Sequence, residues 1–259
     1  MSEIQEWFRT SIRNPILRAA YVFSKFFNTL LDLKGHKHQF APELKQLNEI
    51  ITYSLENRSD ISDHLVTLFL ESITTYPTPA LIVELGVRGG ASTFVLERVA
   101  GLIGAKLVSV DIEDCSNVSS FSDWTFVQED DITFASHFEA WCHTRGIKPE
   151  IGILFIDTSH TYEHTLKEIQ SWFPFLSPHS KVFFHVTNMK PIYFRRDGSI
   201  GVTMSSQRGV IAALEAYFRK SFRETADFVD FSREWMIQHY ACCSGFTILK
   251  RISLNMVQE

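Results

Sequence analysis

The chain has 259 residues, which suits one α/β domain with a helical extension but is short for two enzyme-sized domains. Its 25 basic and 30 acidic residues give a net charge of −5, which argues against nucleic acid or an anionic membrane as a partner. No apolar run reaches the ~20 residues of a spanning helix, no signal peptide is visible, and the four cysteines include no C-x-x-C pair. We therefore expect a cytoplasmic protein with reduced thiols and no stable membrane insertion.

Residues 1–78 are predicted to form an N-terminal helical extension. Apolar residues between Ile12 and Leu31 recur near helical spacing, and similar patterns resume over residues 44–55 and 61–73. The apolar face of such a helix must be covered. We expect it to pack on the main domain, where it would shape an acceptor pocket, or on a second copy of the chain in a homo-oligomer. A helix that lies on a membrane surface is the alternative.

Residues 79–259 are predicted to form the main domain, an α/β domain with a doubly wound, mostly parallel sheet. Short apolar runs, typical of buried parallel strands, alternate here with helical patterns. Five successive runs each end in a polar residue, and ligands in such sheets bind beyond the carboxyl ends of the strands. The five residues are Glu84, Asp111, Asp130, Asp157 and His185.

The turn after the first of these runs is rich in glycine, with the sequence V-E-L-G-V-R-G-G-A-S-T at residues 83–93. Glycines at such a turn let the backbone approach a ligand closely, and the N-terminus of the following helix presents free N–H groups. Arg88 takes the place of the middle glycine in the dinucleotide-binding pattern G-x-G-x-x-G, so the match to that pattern is poor.

The same turn resembles the first motif of the class I S-adenosylmethionine-dependent methyltransferases, in which an acidic residue is followed by two spaced glycines. The matching positions are Glu84, Gly86 and Gly90. The resemblance implies that these residues bind S-adenosylmethionine together with Ser92. It also implies that Asp111 receives the ribose hydroxyls and that Asp130, or its neighbour Asp131, lies at the adenine edge.

A second pattern reads F-I-D-T-S-H-T-Y-E at residues 155–163 and is followed by W-F-P-F-L-S-P at residues 172–178. Over about residues 80–220 the chain resembles a bacterial group that includes the macrocin and mycinamicin sugar O-methyltransferases and the cephalosporin-hydroxylase-like proteins. This resemblance implies a seven-stranded, Rossmann-like methyltransferase fold. It also implies that Asp157 lies beside a magnesium ion and that His160 is the general base acting on a small-molecule hydroxyl, of a sugar or of a phenol.

The chain departs from this group at the metal site. The histidine–aspartate pair of the group is His185-Val186 here, so one carboxylate is missing. A hard cation prefers oxygen ligands. The predicted metal ligands are therefore Asp157, His185 and Asn188, and both a site that binds Mg²⁺ and a site without metal stay open.

A zinc site of the H-E-x-x-H type is not expected, although His160 and His164 are four residues apart on a predicted helix. Thr161 stands where that motif has its glutamate. We expect His164 to be a solvated helix residue.

The sequence thus predicts an S-adenosylmethionine-dependent O-methyltransferase with a small-molecule acceptor, in which Asp157 and His160 are the catalytic residues. Two alternatives come from other classes of protein. One is an NAD(P)-binding oxidoreductase on a similar sheet, which Arg88 disfavours. The other is a non-catalytic scaffold that keeps the fold, an alternative that Val186 suggests.

Overall fold

The computed structural model describes residues 20, 21, 23–25, 45–188, 190–202 and 208–252. Residues 20, 21 and 23–25 are helical, and the rest of the helix expected over residues 12–31 lies outside the described residues. Helix α1 (Lys45–Asn57) and helix α2 (Leu65–Ile73) follow, joined by a 3₁₀ turn at Ser62–His64. Within the described ranges, no helix has both the length and the apolar character needed to cross a membrane.

The alternation of strands and helices expected from Pro79 onward is confirmed. The strands are β1 (Leu81–Leu85), β2 (Lys106–Asp111), β3 (Trp124–Gln128), β4 (Ile151–Ile156), β5 (Leu176–His185), β6 (Ile192–Phe194), β7 (Ile200–Val202), β8 (Phe228–Ser232), β9 (Trp235–Tyr240) and β10 (Phe246–Arg251). The helices between them are α3 (Ala91–Ile103), α4 (Asp131–Thr144), α5 (Tyr162–Trp172) and α6 (Gly209–Phe218).

The main sheet has eight strands in the order β3-β2-β1-β4-β5-β10-β9-β8, and the expected number of seven was wrong by one. The first five strands are parallel, whereas β10 pairs antiparallel with β5 and continues into the hairpin of β9 and β8. The additional edge strand, β8, has no fully buried side chain, so its apolar pattern is weak in the sequence. Strands β6 and β7 form a separate two-stranded hairpin.

Apolar side chains cover both faces of the sheet. On one face, α4, α5 and α6 bury a cluster of aromatic and aliphatic residues that includes Phe134, Phe138 and Trp172. On the other face, α1 and α2 pack in the same layer as α3, and Ile50, Leu68 and other residues of these helices join that core. This packing brings the segment after α1 to the carboxyl edge of the sheet.

Candidate active site

The carboxyl ends of β1, β4 and β5 surround a cleft of about 480 Å³. The strand order reverses between β1 and β4, and open α/β sheets bind ligands at such a switch point. Several of the site residues predicted from the sequence line the cleft together. They are Gly86, Ser92, Asp157, His160 and His185.

The glycine turn and the segment after β4 are in direct backbone contact. Gly86 has φ +88°, and a Cβ atom built on it would lie 2.2 Å from the carbonyl oxygen of Asp157. The N–H of Asp157 in turn donates to the carbonyl of Leu85 at 2.9 Å. A side chain at position 86 would therefore push the two segments apart, which explains the need for glycine there.

Gly90 and Glu84 support the turn without lining the cleft. Gly90 has φ +75° and precedes α3, and a Cβ on it would meet the side chain of Val118. Glu84 is fully buried and accepts hydrogen bonds from the hydroxyls of Thr93 and Ser109, at 2.9 Å and 2.6 Å. Burial raises the pKa of Glu84 to about 7, although the hydroxyl donors oppose this shift.

Asp111, the last residue of β2, and Asp130, which follows β3, are not among the residues that line the cleft. The Oδ2 atom of Asp111 accepts hydrogen bonds from the backbone N–H groups of Val87, at 2.7 Å, and of Arg88, at 3.1 Å, so it is bound to the glycine turn. Asp130 is exposed and caps α4 by accepting from the N–H of Thr133 at 2.9 Å. Its neighbour Asp131 is buried and turned away towards α5. The cofactor roles of these residues stay predictions.

Asp157 lies between two histidines. Its Oδ1 atom is 2.8 Å from Nε2 of His160 and 2.9 Å from Nδ1 of His185. Burial alone would raise the pKa of Asp157, but the charge of His185 and the hydrogen bonds from both imidazoles hold it well below its ordinary value. The carboxylate is therefore ionised and can only accept hydrogen bonds, so each of the two contacting ring nitrogens donates a proton to it.

A second set of contacts holds His185 on its other side. Its Nε2 atom is 2.9 Å from the hydroxyl oxygen of Ser244, which is itself 3.2 Å from the carbonyl oxygen of Asp60. Burial acts to lower the pKa of His185, but the Asp157 carboxylate raises it above the ordinary value. A protonated His185 can donate to Asp157 from Nδ1 and to Ser244 from Nε2, and Ser244 can then donate to the Asp60 carbonyl.

Three residues of the cleft adopt a backbone conformation that side chains disfavour. Arg88, His160 and Val186 have φ values of +48°, +57° and +57°. This conformation is a genuine outlier for a β-branched residue such as valine, and such strain concentrates at functional sites. The backbone of His160 is supported by α6, because a Cβ on Gly209 would lie 2.1 Å from its carbonyl oxygen.

Asp157, His160 and His185 could also hold a metal ion, since their ligand atoms all lie within 4.8 Å of one another. This set contains one carboxylate and two imidazoles, a poor match to Mg²⁺, which prefers oxygen ligands. The third predicted ligand, Asn188, uses its side-chain nitrogen to donate to the carbonyl of Ala241 at 2.7 Å. These donors therefore give little support for a magnesium ion at this position.

The structure adds cleft residues that the sequence did not suggest. Asn57, the last residue of α1, lines the cleft together with Ser59 and Asp60, which follow that helix. Asp60 also accepts a hydrogen bond from the hydroxyl of Tyr193 in β6. These residues belong to no recognisable motif and reach the cleft only because α1 and α2 pack on the sheet, so no signal in the sequence could have identified them.

Residues 83–186 match the sequence model of a family described as a methyltransferase domain. The match begins in β1 and ends directly after β5, so it includes the glycine turn, Asp111, Asp157, His160 and His185. A search for relatives among curated proteins finds no significant match. The match covers less than half of the chain, and over these residues it supports the resemblance to methyltransferases that the sequence suggested.

Solved structures of methyltransferases share the fold. The MycE methyltransferase of the mycinamycin biosynthetic pathway, in complex with Mg, SAH and mycinamycin VI, is 15% identical with a TM-score of 0.50, over 83% of this chain and 56% of that chain. A protein from Klebsiella pneumoniae assigned as an O-methyltransferase is 13% identical with a TM-score of 0.51, over 87% and 96%. The SAH-bound Podospora anserina methyltransferase PaMTH1 is 9% identical with a TM-score of 0.50, over 89% and 96%.

These comparisons confirm the predicted Rossmann-like methyltransferase fold. The chain spans little more than half, 56%, of the length of the mycinamycin enzyme. At these low identities the likeness concerns the fold alone.

Proposed function

We propose that the protein transfers a methyl group from S-adenosylmethionine to a hydroxyl oxygen of a small polar molecule, with His160 as the general base. One observation carries this proposal: the Asp157–His160 pair, 2.8 Å apart, lines the same cleft as the glycine turn. A donor-binding turn and a candidate base thus lie side by side.

The cofactor would be held at the edge formed by β1, β2 and β3. Gly86 and Gly90 let the backbone of the turn approach a ligand, and the N-terminus of α3, which begins beside Ser92, offers free N–H groups. Asp111 would turn towards the ribose hydroxyls and Asp130 would lie at the adenine edge. When bound, S-adenosylmethionine supplies an electrophilic methyl group on its sulfonium.

His160 is suited to remove the proton of the acceptor hydroxyl. Its Nε2–H donates to the Asp157 carboxylate, so in the neutral ring the lone pair is on Nδ1, which can accept a proton. Asp157 orients the ring and stabilises the imidazolium that forms. General base catalysis of this kind contributes about 10²- to 10⁴-fold to the rate.

His185 acts on Asp157 rather than on the acceptor. It is only 2% exposed and donates to the same carboxylate oxygen that His160 contacts. The hydroxyl of Ser244 fixes the opposite nitrogen. We infer that His185 and Ser244 are positioning residues, which keep the Asp157 carboxylate ionised and pointed at His160.

The walls of the cleft favour an acceptor with several hydroxyl groups over a flat phenol. Asn57, Ser59 and Asp60 offer amide, hydroxyl and carboxylate groups along one side. The mycinamycin enzyme, which shares the fold, was solved with the small molecule mycinamycin VI, and this agrees with a small-molecule acceptor. The same complex contains Mg, and magnesium dependence stays the alternative to the metal-free reaction.

Methyl transfer to a panel of glycosides and phenols, followed by mass spectrometry, tests this function. We expect product with S-adenosylmethionine, equal rates with EDTA and with Mg²⁺, and a loss of about 10²- to 10⁴-fold in kcat for His160→Ala. The control His137→Ala removes an exposed histidine that pairs with Glu129 and should retain full activity. Unchanged turnover in His160→Ala would disprove the assignment of His160 as the general base. Thermal stabilisation by NAD(H) but not by S-adenosylmethionine would favour the oxidoreductase.

A further inference from the structure

A second group of side chains with metal-binding chemistry lies outside the cleft, between α4 and α5. It consists of Asp131 at the start of α4 and of His164 and Glu168, one turn apart on α5. Asp131 is 6% exposed and Glu168 is fully buried. The expectation that His164 is solvated is wrong, because this side chain is 24% exposed and its Nε2 atom lies 2.9 Å from Oδ1 of Asp131.

The distances within this cluster suit a single ion. Nε2 of His164 lies 2.9 Å from Oδ1 of Asp131 and 3.8 Å from Oε1 of Glu168, and the three ligand atoms all lie within 4.8 Å of one another. Ligands bound about 2.0–2.2 Å from one ion are about 3.0–3.5 Å apart in tetrahedral or octahedral geometry. The distances from His164 to Asp131 and to Glu168, 2.9 Å and 3.8 Å, lie close to this range.

Two carboxylate oxygens in the cluster point to a missing partner. Oδ2 of Asp131 and Oε2 of Glu168 are buried and have no hydrogen-bond partner within the described part of the chain. Leaving buried carboxylate oxygens unpaired is costly. With both acids ionised, one histidine, even when protonated, leaves one negative charge of the cluster unbalanced.

We propose that Asp131, His164 and Glu168 bind a divalent transition-metal ion such as Zn²⁺ or Mn²⁺. An imidazole together with two carboxylates is a donor set typical of these ions, whereas Mg²⁺ favours oxygen ligands alone. Three protein ligands leave at least one position for water. This site differs from the Asp157 group of the cleft in every residue and does not rest on the proposed function.

The ion would stabilise the structure beside the cleft. It would join the start of α4 to α5, and the hydroxyl of Thr158, next to Asp157, donates to Glu168 at 2.6 Å. Burial and the charge of Asp131 raise the pKa of Glu168 above its ordinary value.

Zinc binding to the full chain tests the proposal, measured by calorimetry and elemental analysis after removal of metal with EDTA. An Asp157→Asn background disables the cleft group, so that the second site is measured separately. In this background we expect Zn²⁺ to bind and to raise the melting temperature, with little response to Mg²⁺. Adding Glu168→Gln, which keeps the size of the side chain, should lower the zinc stoichiometry by one ion per chain.

The matched control is Glu139→Gln, which removes the carboxylate of an exposed pair on α4, 3.7 Å from His143, and should leave the zinc stoichiometry unchanged. If the Asp157→Asn protein fails to fold, the difference between wild type and Glu168→Gln gives the same information. Equal zinc stoichiometry with and without Glu168 would overturn the proposal. A second pair of results would also overturn it: wild type binds no zinc, and Glu168→Gln without metal is as stable as wild type treated with zinc. Asp131 and Glu168 would then simply share a proton.

Discussion

The carbonyl oxygen of Asp157 occupies the space in which a side chain on Gly86 would begin, 2.2 Å from the position of its Cβ. This contact joins the turn that we assign to the cofactor with the segment that carries the candidate base. The distance between donor and base is therefore set by backbone packing and not by side chains alone.

Gly86→Ala should disturb this contact. The new methyl group would overlap backbone atoms at a position with φ +88°, and we expect a loss of more than about 2 kcal/mol in the free energy of unfolding. Urea denaturation measures this. Gly101→Ala is the control, because Gly101 lies in α3 with its nearest contact at 3.7 Å, and alanine there should stabilise by up to about 1 kcal/mol. A stable Gly86→Ala protein would show that the turn can move away from β4.

Glu84→Gln should change how stability depends on pH. Burial raises the pKa of Glu84 from 4.5 to about 7, so the folded state binds a proton more tightly than the unfolded state. The free energy of unfolding of the wild type should therefore decrease as the pH rises from about 4.5 to 7, and Glu84 should account for up to about 3 kcal/mol of this decrease. Glutamine does not ionise, so the Glu84→Gln protein should not show this loss. Urea denaturation of both proteins at pH 5 and pH 8 measures the difference. The same pH slope in both proteins would contradict the raised pKa.

Asp157→Asn should destabilise the protein, because His185 would lose its buried counter-charge. Removing one partner of a buried pair costs about 3–5 kcal/mol. Because the pKa of His185 is raised in the folded state, its contribution to the free energy of unfolding is complete below pH ~6.5 and is lost as the pH rises through the folded pKa. The pKa of Asp157 is lowered in the folded state, so the contribution of this carboxylate persists far into acid. The cost should thus be larger at pH 6 than at pH 9.

Denaturation at the two pH values tests this dependence. Glu139→Gln serves as the reference, since its partner His143 is 65% exposed and an exposed pair contributes less than about 1 kcal/mol. An Asp157→Asn protein that loses no more stability than this reference would mean that the pair with His185 is not a buried ion pair.

The sequence could predict the residues that meet at the carboxyl edge because parallel strands end there together. Asp157 and His185 directly follow β4 and end β5, and His160 lies only three residues beyond Asp157. The spacing of the sequence could not show which of the two side chains, Asp130 or Asp131, is buried. That choice depends on the first turn of α4, where Asp130 is the N-cap and Asp131 is directed towards α5.

Other features depend on contacts between distant segments. Asp60 reaches the cleft through helix packing, and Ser244 reaches His185 because β10 pairs with β5. Strand β8 escaped detection because an edge strand buries little apolar surface. The tertiary environment of His164 was missed because the sequence does not show that α5 packs beside the start of α4, which brings Asp131 to within 2.9 Å of this histidine.

Val186→Asp should create a magnesium response. It restores a carboxylate at the position where the resembling group has one, and aspartate tolerates φ +57° better than valine does. We expect Mg²⁺ to raise the melting temperature of Val186→Asp but not of wild type. The control Val186→Asn has the same shape without the charge and should not respond. A wild-type response as large as that of Val186→Asp would establish magnesium binding by the natural donor set.

Isothermal titration calorimetry with S-adenosylhomocysteine tests the central assignment most directly. We expect the wild-type chain to bind one molecule with a Kd below about 1 mM, within the range of enzyme–substrate affinities. Asp111→Asn should weaken this binding, whereas His160→Ala should leave it unchanged. No detectable binding by well-folded wild-type protein would contradict the account.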